Sequence, residues 1–420
     1  MSKIHANYCG YFSIKSSDIT FPAPWQPVVE SERDIAEYKQ YYYPEFVDFS
    51  LGSNTNGCRR YRLTPAESNI TVTLKFAPVE ITVKRITAYI MPHDILIYAI
   101  ETEAEADDLN TLTLITSHLR SIYNIDSEPS EKTDLTRFIE TAINPVKALF
   151  THFNGTECAS GDLVEKGNKF KVFQVIDTPL EELSAEERKI MLFEFGTMSV
   201  IGGFNANDIH SITQEYMEEV LDGSSISIYN NWSGVALLDS FTILACQFKE
   251  YNLDTWLNDY FSMIYIHNIF IKFYLFRLNE RFRAENCNTD ALGTEFAIFE
   301  RNYCFKKISY NFLPLEIAQM IDKALEINEE KEILCHEIEL ENQRNEKESD
   351  KRMNNLLFFL TCITMFSTVW DATCLLDQLF SYEGLVGDTT TGYRSFSLGL
   401  SVIIIVIAVL ILRRRKEKKK

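Results

Sequence analysis

Five residues toward the C-terminal end have types and spacing that could do chemistry together: Asn354, Thr361, Thr364, Thr368 and Asp371. With Leu357 and Leu375 they make a row whose members lie alternately three and four residues apart, so on a helix they share one face. The row two residues on, Leu356, Phe359, Ile363, Phe366 and Trp370, is wholly apolar. Polar side chains at membrane depth cost free energy unless they face a bundle interior or an aqueous path, and a central carboxylate costs at least about 2.5–3.5 kcal/mol. A lone hairpin has little interior. The pattern therefore predicts a homo-oligomer with this face around the axis, where rings of Thr hydroxyls and an Asp ring would line a cation-selective path. Small hydroxyl residues also serve ordinary helix packing in membranes, and that reading stands beside the first.

Elsewhere, catalytic signatures are missing. The chain has no GxGxxG, GxxxxGK[ST] or GxSxG, and His336-Glu337 lacks the second His that a zinc-binding helix needs. The seven histidines are far apart and read as structural or surface groups. Nine cysteines are scattered without a CxxC pair, the usage of reduced thiols in a cytosol. No enzymatic function is expected.

The elements that must hold the polar row are membrane spans. Met353 to Leu376 is apolar until Asp371, and Ser395 to Leu412 is 18 residues without a charge, nearly the thickness of a hydrocarbon core. Together they predict a C-terminal transmembrane hairpin: a first helix at 353–376, an outer loop at 377–394, a second helix at 395–412 and a basic tail at 413–420. Arg344, Lys347, Lys351 and Arg352 precede the first span and Arg413 to Lys416 follow the second, whereas the loop between them has one basic residue. The positive-inside bias puts both termini in the cytoplasm of a multi-pass protein of the cell membrane. Residues 1–30 show no apolar core of a signal peptide. A third apolar run, Tyr260 to Phe276, contains His267, Asn268 and Lys272 and reads as a buried helix of the soluble part.

The formal charge is −19, and the tail from Arg413 carries a local +6, leaving −25 for everything before it. So acidic a body disfavours direct nucleic-acid binding. Strand-like runs at 70–76, 80–90 and 95–100 precede helical patterns at 107–122, 135–150 and 184–197, with a strand near 170–176. A helix at 209–221 and strands at 225–229 and 235–248 complete an α/β domain over 1–250. From 251 to 352 the signal is a long helical stalk. Leu253 to Arg283 and Thr289 to Asn311 read as helices, and Leu313, Ile317, Met320, Ala324, Ile327, Leu334 and Ile338 keep heptad-like spacing in a third. Run unbroken from 315 to 376, that last helix would be about 90 Å long. The fold class expected is thus an α+β cytosolic domain with long helices and a two-helix membrane hairpin.

This layout resembles the CorA-like magnesium transporter superfamily, most specifically over 313–420. The resemblance implies a homopentamer whose first span lines the pore. Family transporters carry a Gly-Met-Asn or related Gly-x-Asn triplet at the outer end of that span. Here the segment reads Asp371-Ala-Thr-Cys-Leu-Leu-Asp377, and the only Gly-x-Asn triplets, Gly52-Ser-Asn54 and Gly203-Phe-Asn205, lie in the cytosolic part, so no filter residue carries over. The missing triplet is similar to the branch found beside type III CRISPR systems. Its members look like antiviral membrane effectors answering a nucleotide second messenger, a conjugate of S-adenosylmethionine and AMP (SAM-AMP).

The resemblance thus implies a channel gated by SAM-AMP at the cytosolic domain. A magnesium (Mg2+) transporter, or a membrane-tethered scaffold without a conducting pore, are the alternatives. An adenine and a sulfonium would suit aromatic, Asn and acidic groups. Arg301 and Asn302 in Phe299-Glu-Arg-Asn-Tyr303, and Asp222 at a helix end, are the ligand-binding candidates; an exposed helix face and a cap are their plainer readings.

Overall fold

The computed structural model describes residues 2–14, 19–52, 57–74, 77–121, 133–150, 169–179, 183–204, 211–283, 288–382 and 399. Contacts divide the chain into two compact units, Met1–Cys335 and His336–Lys420.

The first unit is α+β. Its strands are β1 (Ser2–Ser13), β2 (Gln26–Val28), β3 (Arg59–Leu63), β4 (Asn69–Leu74), β5 (Ala77–Met91), β6 (Ile95–Ala106), β7 (Thr133–Asp134), β8 (Lys171–Asp177), β9 (Ser225–Tyr229), β10 (Trp232–Leu237) and β11 (Ser240–Ala245). They form one mixed sheet in the order β2-β3-β5-β6-β1-β8-β11-β10-β9, with β4 paired to β5 and β7. β8 and β11 run parallel, and the other pairings among the described residues are antiparallel.

The sheet is built around β1, which the sequence reading passed over. Its alternation is plain once placed. Ile4, Ala6, Tyr8 and Phe12 point into a core shared with α3 (Leu109–Arg120) and α6 (Ala185–Thr197). The opposite face meets α8 (Glu250–Leu257) and α9 (Tyr260–Phe282): Asn7 donates to the Leu257 carbonyl at 2.7 Å, and Tyr11 packs on Phe273 with ring centroids 4.5 Å apart. Helices thus cover both faces of the sheet, and the polar Asn7 is tolerated on the second face because the Leu257 carbonyl gives it a partner.

Several sequence boundaries move. The run 235–248 is a hairpin, β10 and β11, because Asp239 at its turn is held by Lys171 at 2.7 Å and by Arg120. The helix expected over 135–150 is α4 (Thr136–Phe138), a π turn at Ile139–Ile143 and α5 (Asn144–Lys147); Pro145 has no N–H to donate, and its ring cannot follow an ordinary helical turn. The helix at 209–221 is α7 (Gln214–Leu221), following α1 (Glu32–Tyr38) and α2 (Pro44–Ser50) earlier in the chain.

Leu253 to Arg283 is not one helix but α8 and α9, parted at Asn258 and Asp259. α10 (Thr289–Tyr303) stops eight residues short of Asn311, since the chain then crosses to pair Ser309 with Tyr42. The unbroken helix from 315 is also two: α11 (Phe312–Ala324) and α12 (Ile327–Tyr382), with Glu326 in the left-handed region at φ 54°. Leu325 and Ile327 are both buried, at 1% and 0% exposure. Two residues apart on a straight helix would face opposite ways, so the elbow is what turns both inward.

α9 is a buried helix, and the three polar residues within its apolar run, His267, Asn268 and Lys272, each have a partner. His267 Nε2 meets the Tyr303 carbonyl at 2.9 Å, Asn268 donates to the Ile264 carbonyl, and Lys272 pairs with Glu330.

Gly10 lies opposite Tyr98 in the β1–β6 register, and the Tyr98 ring occupies the space a Cβ would take. Gly10→Val is expected to destabilise the first unit by about 1–3 kcal/mol through overpacking. Urea unfolding followed by tryptophan fluorescence checks this. A midpoint equal to wild type would mean that the Tyr98 ring swings aside freely.

Candidate functional site

From Met353 to Ala372 α12 is apolar and largely exposed. Among the described residues this is the one helix long and apolar enough to cross a membrane, and none of its apolar window is buried. Leu356, Phe359, Ile363 and Phe366 are all exposed, Phe359 by 66%. That much bare apolar surface is unstable in water and fits a lipid or helix-lined environment. The polar row lies along the same helix. Asn354, Thr361, Thr364, Thr368 and Asp371 are all exposed. The second expected span, the outer loop and the basic tail lie outside the described residues, apart from 377–382 at the end of α12 and the single position 399.

The three threonines are not open hydroxyl donors. Thr361 donates to the Leu357 carbonyl at 2.8 Å, Thr364 to Leu360 and Thr361 at 3.1 and 2.9 Å, and Thr368 to Thr364 at 2.6 Å. Back-bonding to the preceding turn satisfies the donor inside its own helix and leaves the oxygen lone pairs facing outward. The row therefore presents acceptors, which suit a cation, and the polar groups with the most to lose in an apolar setting reduce to Asn354 and Asp371.

The ligand-binding candidates separate into two cavities of the first unit. Arg301 and Asn302 line one of about 720 Å³, between α2 and the segment joining α10 to α11. Tyr43, Phe49, Tyr303 and Phe305 give it aromatic walls, and Lys306 and Lys307 add cations beside Arg301. Glu45 and Asp48 are the acids on its rim, and Asp48 is already paired with Lys39 at 2.7 Å. The sequence reading stopped at Tyr303 and missed Lys306 and Lys307. The signal was there, a Lys-Lys pair just past an aromatic-rich helix end, but it gains meaning only when α2 supplies the other wall.

Beneath that cavity lies His267, set edge-on to Phe46 and Phe49 with ring centroids 5.3 and 5.5 Å away, and 5.4 Å from the Phe305 ring. Burial pushes its pKa down to about 4, so the ring is neutral near pH 7. It fixes the Tyr303 carbonyl that ends α10, and so shapes the cavity wall.

Asp222 lines the other cavity, of about 750 Å³, walled by α6, α7 and β9–β10. It is the C-cap of α7, its carbonyl takes the Lys323 ammonium at 3.2 Å, and Gly223 follows at φ 67°. The structure thus does not bring Asp222 together with Arg301 and Asn302. Its backbone acts as the cap that one reading of the sequence expected, while the carboxylate borders a separate hollow. Among the described residues no group of three His, Cys, Asp or Glu side chains gathers as metal ligands.

Compared with protein-family models, curated proteins and solved structures, the chain matches none.

The buried His267 sets a pH dependence. Its folded pKa, about 4, lies below the ordinary histidine value of about 6.5, so between those values the unfolded chain binds more protons. Stability from this group is complete above about 6.5 and is lost as pH falls toward 4, a loss of about 2 kcal/mol by pH 5. Denaturation at pH 7 and 5 should show wild type losing that much more than His267→Gln. Equal losses in the two proteins would remove His267 as the cause.

Proposed function

We propose that the chain is the subunit of a homo-oligomeric, ligand-gated membrane channel or effector of CorA-like architecture, with the polar face of α12 lining the path. The observation that carries this reading is the exposed row Asn354, Thr361, Thr364, Thr368 and Asp371, running beside an equally exposed apolar face on one membrane-length helix. The outward lone pairs of three back-bonded threonines, ending at a carboxylate, offer oxygen ligands to a cation without any free donor to repel it.

In the full reading, residues 395–412 form the second, lipid-facing helix of a hairpin, both termini are cytoplasmic, and five copies surround the axis. The soluble unit receives the gating ligand; a nucleotide messenger such as SAM-AMP is the ligand that the resemblance implies. The missing Gly-x-Asn triplet argues against ordinary magnesium uptake. Catalysis forms no part of the reading.

A second reading, a tether without a pore, is favoured by one observation. Back-bonded threonines are satisfied within their own helix, so they could sit in a dry helix–helix contact at little cost. Liposome flux separates the two. In the channel reading Asp371→Ala and Thr364→Leu each lower cation flux by about tenfold or more, since one removes the charge and the other a ring of acceptors. Cysteines placed at 361, 364 and 368, in a background without Cys362 and Cys374, react with a water-soluble thiol reagent faster than cysteines at 359, 363 and 366. Unchanged flux in both variants, with equal reactivity on the two faces, would sink the pore.

A further inference from the structure

We infer that the cavity between α2 and the α10–α11 segment is a binding site for a nucleoside phosphate, with Arg301, Lys306 and Lys307 taking the phosphate and Tyr43, Phe305 and Asn302 the base. The inference rests on the reading that the soluble unit receives a ligand, and it names the place and the chemical class.

The charge pattern is the first argument. The body before the tail carries −25, yet this rim gathers three cations within seven residues, against the two acids Glu45 and Asp48, of which Asp48 is already paired with Lys39. None of Arg301, Lys306 and Lys307 has an ion-pair or hydrogen-bond partner among the described residues, whereas Lys39, Lys171 and Lys272 elsewhere in this unit are each paired. Unpaired cations clustered against a strongly acidic surround form a local anion site, because each raises the potential felt by the others' ligand.

The walls give the second argument. A bare phosphate would not fill about 720 Å³, a volume in the usual range of about 300–1,000 Å³ for ligand pockets. Phe49 and Tyr303 are buried and form a firm apolar floor, with ring centroids 5.5 Å apart. Tyr43 and Phe305 are only half-buried; Tyr43 packs on Tyr310 at 4.2 Å and Phe305 on Phe46, Phe49 and His267, so each ring is held in place while part of it stays open to a flat ligand. The Asn302 amide carries both donors and an acceptor, the combination that reads a base edge. Cations, aromatic rings and an amide on one lining match an anion joined to an aromatic heterocycle.

The position of the site gives the inference its consequence. Cys304 lies between two of the wall residues, and its thiol meets the Lys331 ammonium near the start of α12. Burial pushes that thiol's pKa up to about 11, with Lys331 pulling the other way, so the contact is one of a cation with a neutral thiol. Lys331 also faces Asp322 on α11, across the elbow at Glu326. A ligand drawing the 301–307 segment inward would thus act on the first turns of α12 through residues that already touch.

The test is calorimetric titration of the full-length protein in detergent with AMP, adenosine and inorganic phosphate. AMP is expected to bind at least about tenfold more tightly than either fragment, and more weakly as salt rises. Lys306→Glu with Lys307→Glu should lower AMP affinity by about tenfold or more; both side chains are exposed, so an unchanged melting temperature is expected alongside. Phe305→Ala should weaken AMP and leave phosphate as it was. The inference is overturned if AMP fails to bind at about 1 mM, if phosphate binds as well as AMP, or if the double charge reversal has no effect. Loss of AMP binding through Arg188→Glu instead would move the site to the cavity beside Asp222 and also overturn it. AMP binding that never alters flux leaves this site standing and removes gating by it; flux without AMP binding does the reverse.

Discussion

A polar group taken out of water costs free energy until it finds a partner, and both long apolar helices among the described residues are shaped by that constraint. α9 meets it with the rest of the first unit. Its histidine takes a carbonyl from the end of α10, its lysine a carboxylate from α12, and its asparagine a carbonyl one turn back. α12 meets it alone. Its threonines bond to their own backbone, which leaves Asp371 as the charged group of the apolar stretch with no partner among the described residues. The two helices have similar runs of apolar residues, and the difference in where their polar groups find partners is what makes one a core element and the other a candidate span.

The same bond from His267 to the Tyr303 carbonyl orders the cavity region. It sits where α10 ends and the chain turns away to pair with Tyr42, and that turn leaves a hollow with α2 on one side and Lys306 and Lys307 on the other. The segment then enters α11, and the elbow at Leu325 and Glu326 brings Lys331 back against Cys304. A neutral, buried ring thus supports the wall of the hollow and, through it, the approach to α12. Keeping that ring uncharged matters more than any contact it makes with solvent, since protonation would place a cation among Phe46, Phe49 and Phe305.

The sheet shows a second use of the constraint. Because helices cover both faces, the two buried amides of its central strands, Asn7 and Gln174, are set against specific partners. Asn7 reaches Leu257, and Gln174 bonds the Phe195 carbonyl, Thr242 and Thr116. Such networks specify register, since a strand displaced by one residue would bury these groups without partners.

Sequence by itself determined the periodic and compositional features: the α+β class, the β5 and β6 strands, the buried character of 260–276, and one apolar helix with a polar row of three-and-four spacing. These are local patterns, legible because each residue's face follows from its neighbours' spacing. Tertiary structure alone decided what depends on residues far apart. β1 is central only because β6 and β8 flank it and helices close both faces, and Gly10 is required there only because Tyr98 lies across from it. The heptad-like row from Leu313 reads as one helix, yet burial of both Leu325 and Ile327 bends the chain between them. Arg301 and Asn302 were visible as polar residues in an apolar helix; their cavity was not, because its other wall comes from α2, some 250 residues away in the chain. Distance along the chain hides such a site, and packing, which no local spacing records, creates it.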